Sequence, residues 1–175
     1  MTRSDSLFLS LALGACVACG GSSTPRVSLT QAIAETSGAL PRSADEAEQR
    51  RRAGASWSNG QIRAHYLAQV AEIGRADARW RSEGKSAETR AHLAYAMRND
   101  AKRLMRAMMT DEELLAAFRA SDQRKFGHPE GPTFDELVAK QRERGVTGDA
   151  VFEAIVVSAQ KTDPIVDQLM VGAGD

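Results

Sequence analysis

Cysteine is nearly absent from this 175-residue chain: Cys16 and Cys19 are the only two, and both lie in the opening segment. Nothing downstream of them can form a disulfide, a thiolate metal site or a cysteine nucleophile. Histidine is as scarce, with three scattered positions that do not make a metal site. An excess of one charge is missing too. Twenty-three basic residues balance 23 acidic ones, so no global field points to a nucleic-acid or membrane-surface partner. No apolar run approaches the roughly 20 residues that cross a bilayer as a helix. A glycine-rich phosphate loop, a paired-histidine metal helix and a nucleophile elbow are all lacking, and no cofactor is expected. No convincing alternating strand is present. "FEAIVVS" is the one ambiguous run, and its flanking caps favour helix.

What is present begins with "LFLSLALGACVACGG". Leu7 to Ala15 fits the apolar region of an export signal, which runs about 7–15 residues. The leader "MTRSDS" departs from the usual positive start, because Asp5 cancels Arg3. The segment ends in Leu13-Gly14-Ala15-Cys16, which resembles the lipobox of bacterial lipoproteins. The resemblance implies a signal peptide over residues 1–15 and a Cys16 thiol alkylated by diacylglycerol. It also implies acylation of the new amino terminus, with palmitate among the usual chains. Two or three acyl chains hold a protein firmly where one does not. Val17 follows the cysteine in place of an aspartate, so the resemblance favours the outer membrane or cell surface over inner-membrane retention.

Gly20 to Ser56 is rich in Gly, Ser, Thr, Ala, Pro and Arg and poor in large apolar residues. Such a composition cannot bury enough surface to offset chain entropy. Residues 16–57 therefore read as a lipidated cysteine followed by a flexible tether, on the order of 35 Å end to end as a coil.

From Ser58 to Asp175 the pattern is helical, and the expected fold is all-α: a small irregular bundle of about six helices. Ile62, Tyr66, Val70, Ile73 and Trp80 mark a helix from Gly60 to Glu83. Ala94, Met97, Ala101, Leu104 and Met108 form a stripe on a second, which runs from after Ser86 to about Met109. Thr110 to Glu113 and Thr133 to Glu136 read as capping boxes for the third and fourth. Thr147 is the expected cap of a fifth helix, and Asp163-Pro164 opens a sixth. The balanced total charge conceals a polarity. Arg75 to Arg106 holds nine basic and four acidic residues, and the chain from His128 onward holds four and nine. Packing these segments together would make the attraction internal.

Chemistry has four candidate locations, one of them the helix junction "SAQKTD", which gathers Ser158, Lys161, Thr162 and Asp163 and where cap chemistry accounts for Asp163. The loop "FGHPEGPT" leaves His128 and Glu130 unexplained by turn requirements, and a histidine beside a carboxylate can work as an acid–base pair. On the second helix His92, Tyr95, Asn99, Lys102, Arg103 and Arg106 make a cationic face, able to grip phosphate or simply solvated. Asp122 shares a side with Phe118 and Phe126 and needs a partner, with Arg119, Arg98 and Lys125 as candidates.

Taken together, "AYAMRNDAK", "FRASDQRKFGHPEGPTFDELV" and "GDAVFEAIVVSAQKTD" resemble a helical module found at the carboxyl ends of bacterial polymorphic toxins. There an Arg-x-x-Asp pair precedes Lys-aromatic-Gly-x-Pro-x-Gly-Pro-Thr, and the likeness covers about Ser86 to Asp163. If the module is catalytic, the resemblance implies Arg98, Asn99, Arg119, Asp122, Lys125, His128 and Asp163 as its residues. It implies nucleic acid or a nucleotide as target and an immunity protein as cognate partner. The competing expectation is a non-catalytic outer-membrane lipoprotein that binds a protein or envelope partner.

Overall fold

The computed structural model describes residues 39–172, and the signal, Cys16 and most of the expected tether lie outside them. The fold is all-α. Among the described residues there are seven helices and no strand: α1 (Ala44–Arg52), α2 (Asn59–Ser82), α3 (Ala87–Met108), α4 (Glu112–Phe126), α5 (Phe134–Glu143), α6 (Asp149–Ala159) and α7 (Pro164–Gly172). No described helix is long and apolar enough to cross a membrane.

Capping chemistry sets most boundaries. Ser58 with Gln61, and Thr133 with Glu136, form reciprocal capping boxes at the starts of α2 and α5. Two expected caps shift by one residue. Asp111, not Thr110, accepts the Leu114 amide at the head of α4, because a carboxylate there also faces the positive end of the helix dipole. Gly148, not Thr147, precedes α6 and supplies no side-chain cap; its φ of 57° is one that a side chain resists.

Helix α1 lies inside the stretch expected to be tether. Its apolar content is negligible, and polar contacts hold it instead. Ser43 caps it, Arg51 donates to the Met109 carbonyl at 3.1 Å, and Pro41 and Ala47 are buried. His65 of α2 reaches the Pro41 carbonyl at 2.9 Å. Composition counts large apolar side chains and so passes over a helix tied down by hydrogen bonds. The folded unit begins at Ala39 rather than Ser58.

Two apolar cores lie along α2 and α3. One gathers Ile62, Tyr66, Leu104, Met108, Leu115 and Phe118 with Val166 of α7; the other gathers Ile73, Trp80, Ala94, Val151, Ile155 and Val156. On α3 the change from one core to the other falls between Ala94 and Ala101, and Arg98 occupies that interval. Alanines 91, 94 and 101 are at most 2% exposed, and their small size lets α3 lie against both α2 and α6.

The complementary charge of the two chain segments is partly spent internally. Arg90 of α3, 4% exposed, donates to Asp77 of α2 at 2.7 Å and pairs with Glu153 of α6. Arg81 bonds the same two acids at 3.0 and 2.6 Å. Burial works to raise the Asp77 carboxyl, but the hydrogen bonds from Arg90 and Arg81 outweigh it, so the group titrates below its ordinary 3.8. Removing one member of a buried ion network leaves the others uncompensated. Asp77→Asn is therefore expected to cost about 3 kcal/mol in a urea titration. Arg79→Ala, at an exposed pair, should stay within about 0.5 kcal/mol. Because the folded carboxyl is depressed, its contribution is complete above about pH 4 and disappears as pH falls through the folded value. The gap between wild type and Asp77→Asn should accordingly close in acid, as read by circular dichroism between about pH 5 and 2.

Candidate functional site

A cavity of about 320 Å³ opens where the two cores part, between α3, the α6–α7 junction and the end of the loop that precedes α5. Tyr95, Arg98, Asn99 and Lys102 come from α3; Ser158, Thr162 and Asp163 face them from the junction. Leu137 and Ile155 form an apolar part of the wall, and Lys161 stands at the rim.

Arg98, Lys102 and Arg106 recur every four residues on α3 and share one side of it. Opposite stands Asp122 of α4, 3% exposed. Arg106 donates to one Asp122 oxygen, and Lys102 Nζ lies 3.7 Å from the other. Asp163 caps α7 by accepting the Ile165 amide at 3.2 Å and receives Lys125 Nζ at 3.2 Å. Arg98 has no such carboxylate. Its guanidinium lies 5.0 Å from the centre of the Tyr66 ring, and its Nη1 is buried with no hydrogen-bond partner. Burial pulls both Arg98 and Lys102 below their ordinary values and pushes the Tyr66 hydroxyl up to about 12. Arginine keeps its charge regardless.

The loop Phe126 to Thr133 is built to lie over Asp122. Gly127, at φ 84°, ends α4 in the left-handed conformation. Gly131, at φ 93°, passes so close that a β-carbon there would stand 3.3 Å from Asp122 Oδ2 and 4.0 Å from Lys102 Nζ. The Tyr95 hydroxyl donates to the Pro132 carbonyl at 3.0 Å and holds the loop to α3. His128 bonds Glu136, the capping-box acid, at 3.0 Å, while Glu130 is more distant at 3.5 Å. This histidine fastens the loop to α5.

The residues expected from the sequence divide into three groups. Arg98, Asn99 and Asp163 line the cavity; Asp122 and Lys125 stand behind it, reached through Lys102 and Asp163. Arg119 and His128 are elsewhere. Arg119 is exposed and borders a separate groove with Arg51, Arg103 and Glu112, and His128 is tied to Glu136. Cys16 lies outside the described residues. The partners expected for Asp122 are corrected: its carboxylate faces α3, away from Arg119 and Lys125 on its own helix, and meets Lys102 and Arg106 there, one and two turns past Arg98. The face of α3 expected to be cationic and solvated is divided. Arg103 is exposed, and His92 stacks on Phe134 with ring centres 3.7 Å apart, while Lys102 and Arg106 turn inward. The four-residue spacing of Arg98, Lys102 and Arg106 was the available signal for these inward residues.

A wider groove of about 500 Å³ lies between α1, α2 and α3. Its charges alternate in sign (Arg42, Asp45, Glu72, Asp100, Arg103), and its histidine, His65, is occupied by Pro41 and Gln69. Among the described residues, no three of His, Cys, Asp and Glu are grouped to hold a metal ion. No protein-family model, curated protein or solved structure matches the chain.

The hydrogen bond that His128 donates to the Glu136 carboxylate holds the imidazole above its ordinary 6.5. Since the folded value is the raised one, the contact strengthens the loop fully below about pH 6.5 and loses that effect as pH rises through the folded value. Imidazole titration by NMR should place His128 above 6.5, and Glu136→Gln should return it toward that value. Gly131→Ala should destabilise the chain by roughly 1–2 kcal/mol from the left-handed backbone alone. Gly54→Ala has a comparable φ of 91° and open space around it, so it isolates the backbone part of that cost.

Proposed function

We propose that this chain is a lipid-anchored envelope protein whose helical module is a toxin-like effector, acting on a nucleotide or nucleic acid held by its phosphate in the α3 cavity. The observation that carries the reading is Arg98. An arginine with a buried, unpartnered nitrogen beside an open cavity is costly to the fold. A ligand anion repays that cost, and the planar guanidinium suits phosphate oxygens. Lys102 adds a second cation, and Asn99, Ser158 and Thr162 add neutral groups for oriented hydrogen bonds. At about 320 Å³ the cavity fits a small ligand or one unit of a polymer. The anchor rests on the Leu13-Gly14-Ala15-Cys16 motif, which supports outer-membrane or surface attachment. An immunity protein covering the cavity is the partner such a module implies.

Because α1 packs on the bundle, a cytoplasmic expression test has to begin at Ala39. Residues 39–175 produced in the bacterial cytoplasm are expected to arrest growth, and Arg98→Gln is expected to abolish the arrest. In calorimetry with AMP the same substitution should weaken binding by about tenfold or more, the worth of one charge-assisted hydrogen bond. Unimpaired growth under the wild-type module would overturn the effector reading in favour of a non-catalytic, partner-binding lipoprotein. Mass spectrometry of native protein should find diacylglycerol on Cys16 and no leader; an unmodified thiol with the leader attached sinks the anchor.

A further inference from the structure

The chain holds five lysines, and Lys102 differs from the rest in its setting. Its side chain is only 17% exposed, against 35% for Lys85 and 44% for Lys125. It lines the cavity and has arginines one turn away on both sides, Arg98 and Arg106. The charged and titratable groups around it from other helices are Asp122 of α4, Asp163 ahead of α7, Tyr66 of α2 and, at the rim, Lys161. Asp122 is its nearest counter-charge, and Arg106 already occupies that carboxylate. So three cations crowd a partly buried place where two carboxylates stand. Two of the three, being arginines, cannot release a proton. The group free to relieve the excess charge is the amine.

We propose that Lys102 is the proton acceptor of the α3 cavity, activating a hydroxyl group for attack on the phosphate of a bound nucleotide or nucleic acid. The proposal rests on the reading that Arg98 holds that phosphate. In the step, the hydroxyl oxygen of water or ribose forms a bond to phosphorus and its proton passes to the Nζ lone pair. The ester oxygen opposite leaves with the bonding electrons and is protonated by solvent water; Lys102 then returns its proton to solvent. Asp122 is a positioning residue here: by holding Arg106 and facing Lys102 it fixes where the amine stands. Burial lowers the affinity of Lys102 for its proton, against the pull of Asp122 and Asp163 and helped by Arg98 and Arg106, and the net direction is the one a base at neutral pH requires.

Pyridoxal 5′-phosphate tests both parts, because its aldehyde reacts only with an uncharged amine and its phosphate seeks an anion site. The full-length chain is treated with it over pH 6–10, reduced with borohydride and digested, and the five lysines are compared by mass spectrometry. Lys102 is expected to be labelled first and to reach half-maximal labelling below the pH of the other four; inorganic phosphate should protect it. Labelling spread over the surface lysines, with Lys102 no more reactive than Lys161, overturns the proposal. Pyridoxal without phosphate separates the two readings. Equal labelling of Lys102 by both aldehydes keeps the uncharged amine and removes the phosphate site. Lys102→Arg keeps the charge and gives up the proton transfer. It should retain AMP binding within about threefold and lose growth arrest, whereas a fully toxic Lys102→Arg overturns the proton-acceptor role. Arg98→Gln should instead abolish the preference of Lys102 for pyridoxal 5′-phosphate over pyridoxal.

Discussion

The carboxylate of Asp122 receives Arg106 on one oxygen and faces Lys102 with the other, and much of the site follows from that sharing. Three cations spaced one turn apart on the inner side of a single helix repel each other in a medium where charge is poorly screened. A buried carboxylate opposite is what lets α3 keep them there. It also dictates the loop above. Gly131 passes within contact of Asp122, and no larger residue fits that approach without a shift. The second glycine of "FGHPEGPT", Gly131, is thus a consequence of the acid it covers.

Asp122 neutralises Arg106 and part of Lys102, and Asp163 is taken by Lys125 and by the head of α7. Arg98 is left without a carboxylate, against the Tyr66 ring and beside the cavity. A different distribution is seen two turns earlier on α3, where Arg90 finds Asp77 and Glu153 and closes a network joining α2, α3 and α6. One helix therefore carries two kinds of arginine. Each keeps one buried nitrogen without a hydrogen bond, Nε in Arg90 and Nη1 in Arg98, but Arg90 is held by two carboxylates, whereas Arg98 has none and lines the open cavity.

Helix α1 brings the lead-in chain onto the same bundle. Residues 39–53 are attached by the Arg51–Met109 and His65–Pro41 contacts, at a face of α3 different from the one that borders the α6–α7 junction.

Periodicity and caps made the all-α fold legible, because those signals act within about four residues along the chain. Ser86 and Thr133 could be read as helix starts for that reason. The resemblance also singled out Arg98, Asn99 and Asp163, which converge on one cavity. It equally singled out Arg119 and His128, which do not line it, since a motif records order along the chain and not direction in space. The pairing of Asp122 with Arg106, the isolation of Arg98 and the docking of α1 were decided by the tertiary structure alone. Each depends on which faces of separate helices meet, and that is settled by burying two cores at once, not by any residue's near neighbours in sequence.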